Sequence, residues 1–151
     1  MARIRIRDAT NTLRTLTRLR IRDASNVLRT VQRVRMRDAG NVLRTVFQAL
    51  SATLSPTSLT PTGTTPTITT SACVATPSGG TGPYTYLWSY TFHDSATLPT
   101  INFGTTSGAS FSQGSMVSTD IYNATAVCTV TDTASGVSAV TNTVTIQWYR
   151  T

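Results

Sequence analysis

The segment Arg-Asp-Ala-Thr-Asn-Thr-Leu-Arg-Thr at residues 7–15 returns with small changes at residues 22–30 and 37–45. Each copy follows a strict alternation of Arg with an apolar residue, as in Arg-Ile-Arg-Ile-Arg at residues 3–7. Such an alternation is typical of β-strands, and Asp and Asn suit the positions of a tight turn. The repeat therefore predicts short strands joined by Asp-Ala-x-Asn turns, in an Arg-rich β-repeat module over residues 1–50.

Two alternatives stay open for this module. The copies are 15 residues apart, a spacing that also fits four turns of a helix. Ala24, Leu28 and Val31 follow the helical spacing, but Arg35 interrupts their stripe. As strands, the repeats could form an antiparallel meander or stack as the coils of a small solenoid. Each repeat offers few apolar side chains, so we expect the module to complete its burial by self-association or on a partner.

The charged residues are of two kinds only and are unevenly spread. All 13 basic residues are Arg and all six acidic residues are Asp. Residues 1–50 hold twelve Arg and three Asp, a balance of +9, whereas the remaining residues have a balance of −2. Without Lys, and with two Cys and the single His93, the chain lacks the usual catalytic and zinc-binding sets. We therefore expect a non-enzymatic protein with no catalytic residue, cofactor or metal site.

The Arg residues that alternate with apolar residues would form three ladders if the repeats stack. The ladders are Arg3, Arg18 and Arg33; Arg5, Arg20 and Arg35; and Arg7, Arg22 and Arg37. Like charges that face each other across strands are destabilising, so each ladder needs counter-charge. Nucleic-acid phosphates or protein carboxylates could supply it. Because residues 1–46 contain no aromatic residue to stack on bases, we favour a partner protein or self-assembly over nucleic acid.

The rest of the chain predicts an all-β domain. Residues 51–66 are rich in Ser, Thr and Pro, which indicates a linker that runs into a first edge strand. Residues 67–151 contain Thr-rich and Val-rich runs separated by Gly-containing turns, a pattern typical of a β-sandwich. Around Cys73 the alternation of residue types leaves that side chain facing outward unless a bulge intervenes.

Cys73, Trp88 and Cys128 stand in an order and spacing similar to that of immunoglobulin-like domains. Residues 79–88, Gly-Gly-Thr-Gly-Pro-Tyr-Thr-Tyr-Leu-Trp, also resemble bacterial and phage immunoglobulin-like or PKD-like repeats. The resemblance covers about residues 51–150 of the chain. It implies an immunoglobulin-like β-sandwich with the two Cys on opposite sheets and the Trp against their bridge. On that basis Cys73 and Cys128 are a candidate disulfide.

An Arg-repeat leader followed by a Thr-rich immunoglobulin-like domain resembles the small virion proteins of tailed bacteriophages. The resemblance implies a virion structural protein, on the head, tail or fibre, made in the host cytoplasm without a signal peptide. Residues 1–50 would then anchor it to other virion proteins or to its own copies as a homo-oligomer. No apolar run is long enough to predict a membrane span.

Two further functions remain as alternatives. The basic repeats could bind nucleic acid with an affinity that falls steeply with salt. The second domain could instead be a carbohydrate-binding adhesin for a host-surface glycan. Tyr84, Tyr86 and Tyr90 alternate with other residues on one predicted strand, and an aromatic stripe can bind sugars.

Overall fold

In a computed structural model of the chain, every regular element in the described residues is a β-strand. The residues described are 5–7, 13–15, 19–22, 25, 28–31, 33–37 and 43–151. The chain divides into two compact units. One comprises Met1–Leu50, Ser78–Pro83 and Asp132–Val137, and the other Ser51–Pro77, Tyr84–Thr131 and Ser138–Thr151.

Within the described residues of the first unit, the strands pair as three antiparallel hairpins, each of which is a separate two-stranded sheet. The hairpins are β1 (Arg5–Arg7) with β2 (Leu13–Thr15), β3 (Leu19–Arg22) with β4 (Leu28–Val31), and β5 (Arg33–Arg37) with β6 (Leu43–Gln48). The last Arg before each turn pairs with the first Leu after it in all three: Arg7 with Leu13, Arg22 with Leu28 and Arg37 with Leu43. The described repeat residues are thus extended, and their pairing is neither a continuous meander nor a solenoid.

The second unit is built on two sheets. The first sheet contains β7 (Ser51–Ser55), β10 (Ile68–Thr69), β11 (Cys73–Ser78), β13 (Thr100–Asn102) and β14 (Gly108–Gln113). The second contains β8 (Ser58–Leu59), β9 (Thr62–Gly63), β12 (Tyr84–His93), β15 (Ile121–Asp132), β16 (Val137–Val140) and β17 (Val144–Arg150). In the first sheet β14 lies between β13 and the strands β10 and β11. In the second, β15 lies between β12 and β17.

The segment expected to be a linker supplies edge strands to both sheets. Strand β7 belongs to the first sheet, whereas β8 and β9 pair in parallel with β17 in the second. The side chains of Ala52, Leu54 and Leu59 are buried in the core. The prolines that suggested a linker follow the three strands instead of interrupting them, so they do not disturb the pairing.

The core of the second unit lies between the two sheets and centres on aromatic residues. Phe111 and Trp148 are fully buried, and Trp88 is 4 % exposed. Trp88 packs edge-on against Phe111, with ring centroids 5.8 Å apart. The indole Nε1 of Trp88 donates to Thr106 O at 2.9 Å, and that of Trp148 donates to Phe111 O at 3.3 Å. Each of the two buried indole N–H groups therefore has a hydrogen-bond acceptor.

No helix in the described residues is long and apolar enough to cross a bilayer.

Replacement of Phe111 by Ala should lower the free energy of unfolding by about 3–5 kcal/mol, because it removes a buried ring and leaves a cavity between the sheets. Phe103→Ala is the matched control, since Phe103 is 72 % exposed. The control should change stability by less than about 0.5 kcal/mol. Chemical denaturation of the full chain measures both, and equal losses in the two variants would contradict the assigned core.

Candidate functional site

In the described part of residues 1–50, each hairpin is a sheet of two strands, and no third strand pairs with either edge. Among the described residues, no strand of one hairpin pairs with a strand of another. An uncovered edge carries backbone N–H and C=O groups that can pair with a strand of another chain. Edge addition of this kind is a common mode of recognition between proteins.

The structure describes seven of the nine Arg residues in the expected ladders. Arg3 and Arg18 lie outside the described residues, and Arg33 and Arg35 have exposed side chains. The other five, Arg5, Arg7, Arg20, Arg22 and Arg37, lie on the first strands of the hairpins. Within the hairpins these Arg residues pair with Thr, Leu or Gln, and none pairs with another Arg. The pairs are Arg5–Thr15, Arg7–Leu13, Arg20–Thr30, Arg22–Leu28, Arg33–Gln48, Arg35–Thr45 and Arg37–Leu43.

The expected ladders across the repeats are therefore not produced by strand pairing among the described residues. The reason is that each repeat pairs with itself as a hairpin. Each Arg residue pairs with a residue on the second strand of its own hairpin, and the equivalent Arg of the next copy lies in another sheet. Backbone pairing thus avoids the like-charge contacts that stacked ladders would create.

The third hairpin contacts the loop 78–83 within the first unit. Gly80 N donates to Gln48 O at 3.2 Å, and Gln48 Nε2 donates to Ser78 Oγ at 3.0 Å. Gly79 has a φ of +81°, and a Cβ at this position would overlap Ala49 O. The close approach and the left-handed conformation both require glycine here.

A buried carboxylate joins this loop to the loop 132–137. Asp132 is 1 % exposed and accepts hydrogen bonds from Thr81 N at 2.8 Å, Thr81 Oγ1 at 3.2 Å and Ala134 N at 3.0 Å. Burial opposes the charged carboxylate, but the donors from Thr81, Ala134 and Ser135 outweigh it. The pKa of Asp132 therefore lies below its usual value of 3.8. No sequence motif marked this residue, whose one signal is its place between a strand and a Gly-containing turn.

The two cysteines lie on opposite sheets with their side chains in the core. Cys73 is on β11 and Cys128 on β15, and both are fully buried. Cys73 faces inward, which is the case that the sequence left open for an interrupted alternation. Residues 70–72 separate β10 from β11, so the alternation does not continue across them, and Ile68 and Cys73 both face inward.

The two thiols are unbonded in the structure, so the disulfide implied by the resemblance is absent from it. Cys73 Sγ instead donates to Pro56 O at 3.1 Å. Burial, with a smaller effect from Cys128, raises the pKa of the Cys73 thiol to about 11, and burial also raises the pKa of Cys128. Both groups therefore remain protonated at neutral pH, which makes them poor nucleophiles.

The tyrosines expected to form a sugar-binding surface face the core instead. Tyr84, Tyr86 and Tyr90 are half-buried and pack against the core cluster. The Tyr90 ring lies 5.8 Å from that of Phe111, and burial raises the pKa of Tyr90. The physical reason is the period of the strand: Trp88 is a core residue, so Tyr84 and Tyr86 before it and Tyr90 after it share its face. A large part of each ring is thus used in packing, and sugar binding at these three residues stays a prediction.

No protein-family model matches the chain, and no curated protein sequence does. A solved structure of a nucleoside hydrolase-related hypothetical protein from Saccharophagus degradans, described as associated with carbohydrate metabolism, has a similar arrangement at 12 % identity and a TM-score of 0.48. The similarity covers 70 % of this chain and 26 % of that one, so the chain spans about a quarter of that protein. A likeness this weak bears on neither fold nor function.

Among the described residues, no group of three or more His, Cys, Asp or Glu side chains could hold a metal ion.

Asp132→Asn should reduce stability at neutral pH, because the neutral amide accepts the same donors less strongly. We expect a loss of about 1–2 kcal/mol and a lower melting temperature. The folded pKa of Asp132 is depressed, so the stabilisation is present above pH 3.8 and is lost as pH falls through the folded value. The difference between wild type and variant should therefore shrink below about pH 4. Melting curves from pH 7 to pH 2 measure the difference in stability between wild type and variant. A difference that does not change with pH would contradict the role assigned to the hydrogen bonds of Asp132. Asp94→Asn, at an exposed carboxylate, is the control and should cost less at pH 7.

The thiols should resist a disulfide reagent such as DTNB at pH 8 in the folded protein, because they are buried and protonated. After unfolding in guanidinium, two thiols per chain should react. Absorbance of the released thiolate gives both counts. Rapid labelling of the folded chain, or no labelling after unfolding without reductant, would contradict free buried thiols.

Proposed function

We propose that the chain is a non-enzymatic structural protein that is anchored in an assembly by the Arg-rich hairpins of residues 1–50. The second unit is then an immunoglobulin-like sandwich that the anchor carries. The observation that supports this division of roles best is that the described repeat residues pair as three hairpins with the same register next to the turn, each forming a separate two-stranded sheet.

The immunoglobulin-like assignment is supported by the sheets in which three residues lie. Cys73 lies in the sheet formed by β7, β10, β11, β13 and β14, and Trp88 and Cys128 lie in the other sheet. Trp88 is buried between the sheets. The same three residue types hold these places in immunoglobulin-like domains.

The anchoring role is supported by the small size of the hairpin sheets. A lone two-stranded hairpin is at best marginally stable in water, and added strands or a packed face are needed for independent stability. In the third hairpin, the side chains of Arg33 and Arg35 are exposed. Pairing with further copies, or with another structural protein, would cover the edges and supply the missing burial.

The balance of +9 in residues 1–50 favours a partner that carries carboxylates. Arg is suited to this role because its guanidinium forms paired hydrogen bonds with a carboxylate. The Asp residues of neighbouring copies are one source of such groups. Nucleic acid is the alternative partner, and its binding would weaken much more steeply with salt.

The assembly that we propose is the virion of a tailed bacteriophage. The support for it is the layout of the chain, an Arg-repeat leader before a Thr-rich immunoglobulin-like domain, which resembles small phage virion proteins. In this proposal the chain is made in the host cytoplasm and reaches the outside of the cell as part of the particle.

Sedimentation velocity tests the anchoring role. We expect nuclease-treated full chain to sediment as an oligomer and a chain that lacks residues 1–50 to sediment as a monomer. A triple variant, Arg5→Gln with Arg20→Gln and Arg35→Gln, should shift the full chain towards monomer. The matched control replaces Arg14, Arg29 and Arg44 by Gln, which removes the same charge from the second strands and should shift it less.

Two results would contradict the proposal. One is a full chain that stays monomeric, and the other is a truncated chain that still forms the oligomer. If the untreated protein instead sediments with nucleic acid at low salt and is released at high salt, the nucleic-acid alternative replaces the proposal.

A further inference from the structure

A shallow groove crosses the second sheet of the second unit, where β8, β17, β15 and the end of β12 lie side by side. Its volume is about 330 Å³, and its exposed lining consists of Ser58, Thr60, Phe92, Thr145 and Gln147. The residues that alternate with these, Leu59, Ala124 and Ile146, are at least nine-tenths buried beneath it. The groove therefore lies on the outer face of the sheet, away from the core.

Phe92 supplies an aromatic surface at one side of this groove. Its side chain is 53 % exposed although it belongs to a strand whose other aromatic residues are buried or half-buried. The alternation of β12 breaks here, because Thr91 and Phe92 are consecutive exposed residues after Tyr90, whose ring packs against Phe111. An exposed ring beside polar groups suits a ligand that is apolar on one face and polar at its edges.

A row of amides and a carboxylate lies next to the ring. Asn123 and Gln147 are cross-strand neighbours, and Gln147 Nε2 donates to Asn123 Oδ1 at 2.9 Å. Asn123 Nδ2 and Asn123 N donate to the two carboxylate oxygens of Asp94, at 2.8 and 2.7 Å. These contacts fix the orientation of both amides. Among the described residues, nothing donates to Gln147 Oε1, so this acceptor and the second N–H of the same amide remain available to a ligand.

Hydroxyl groups continue the polar lining. Thr125 is paired across the strands with Thr145, and Thr91 Oγ1 lies 2.7 Å from Thr125 Oγ1. The lining contains no Arg, and the Asp94 carboxylate nearby is engaged by Asn123. A site without cationic groups does not attract phosphate or sulfate, whereas amides and hydroxyls pair well with ligand hydroxyls.

We propose that this groove binds a neutral glycan, with a sugar ring stacked on Phe92 and its hydroxyls bonded to Gln147 and the neighbouring Thr side chains. The volume is at the lower end of the range for small-ligand sites, about 300–1,000 Å³, which fits a short sugar segment. All groove residues belong to the second unit, so the proposal does not depend on anchoring by the hairpins. It places the sugar site on the same sheet as the three core-facing tyrosines, at different residues.

The test uses the full chain and a panel of neutral probes: lactose, cellobiose, maltose and N,N′-diacetylchitobiose. Binding is measured by isothermal titration calorimetry up to about 10 mM sugar, which covers a Kd of about 1 mM. We expect at least one sugar to bind, and its affinity to fall about tenfold or more in Phe92→Ala and in Gln147→Ala. Phe92→Tyr should retain binding, and Phe103→Ala, at an exposed ring outside the groove, should leave it unchanged.

Melting temperatures of all variants confirm that they remain folded. The proposal is overturned if no neutral sugar binds, or if Phe92→Ala and Gln147→Ala leave the affinity unchanged. It is also overturned if Phe92→Ala changes the sedimentation of the chain, since the groove would then be an interface between copies. The anchoring role is tested by the sedimentation of the chain with and without residues 1–50, so its outcome is independent of the sugar titrations.

Discussion

The edge-on contact between Trp88 and Phe111 is the constraint on which the second unit depends. Trp88 comes from β12 in one sheet and Phe111 from β14 in the other, so the contact joins the two sheets. Once Trp88 faces inward, the alternation along β12 turns Tyr90 inward and leaves Thr91 outside, hydrogen-bonded to Thr125. The buried ring pair thus decides which residues from Tyr84 to Thr91 face the core, whereas Phe92 is exposed beyond the point where the alternation breaks.

The two units differ in how their apolar side chains are buried. In the second unit both sheets share a core of buried side chains, and the edge segment that crosses between the sheets contributes Leu54 and Leu59 to it. The first unit has small sheets, a high density of positive charge and little apolar material in each repeat. Its stability therefore depends more on what it contacts, which fits the role of an anchor.

Sequence reasoning reached the all-β class because alternation and turn residues are local signals. It did not reach features that depend on which strand pairs with which. The orientation of Cys73 depends on a break between β10 and β11, and the expected linker became edge strands because its prolines follow the strands. The inward orientation of Tyr90 was implied by its distance from Trp88. Asp132 and Gln147 gain their roles from partners far away in the sequence, which no local pattern reveals.

Hydrogen–deuterium exchange of the full chain at several protein concentrations tests the anchoring account most directly. If the hairpins of residues 1–50 pair with other copies, amide protection in β1 to β6 should rise with concentration, because the edge N–H groups then become hydrogen-bonded. Protection in residues 51–77 and 84–131 should stay constant over the same range. Protection that is independent of concentration throughout the chain would contradict assembly through the hairpins.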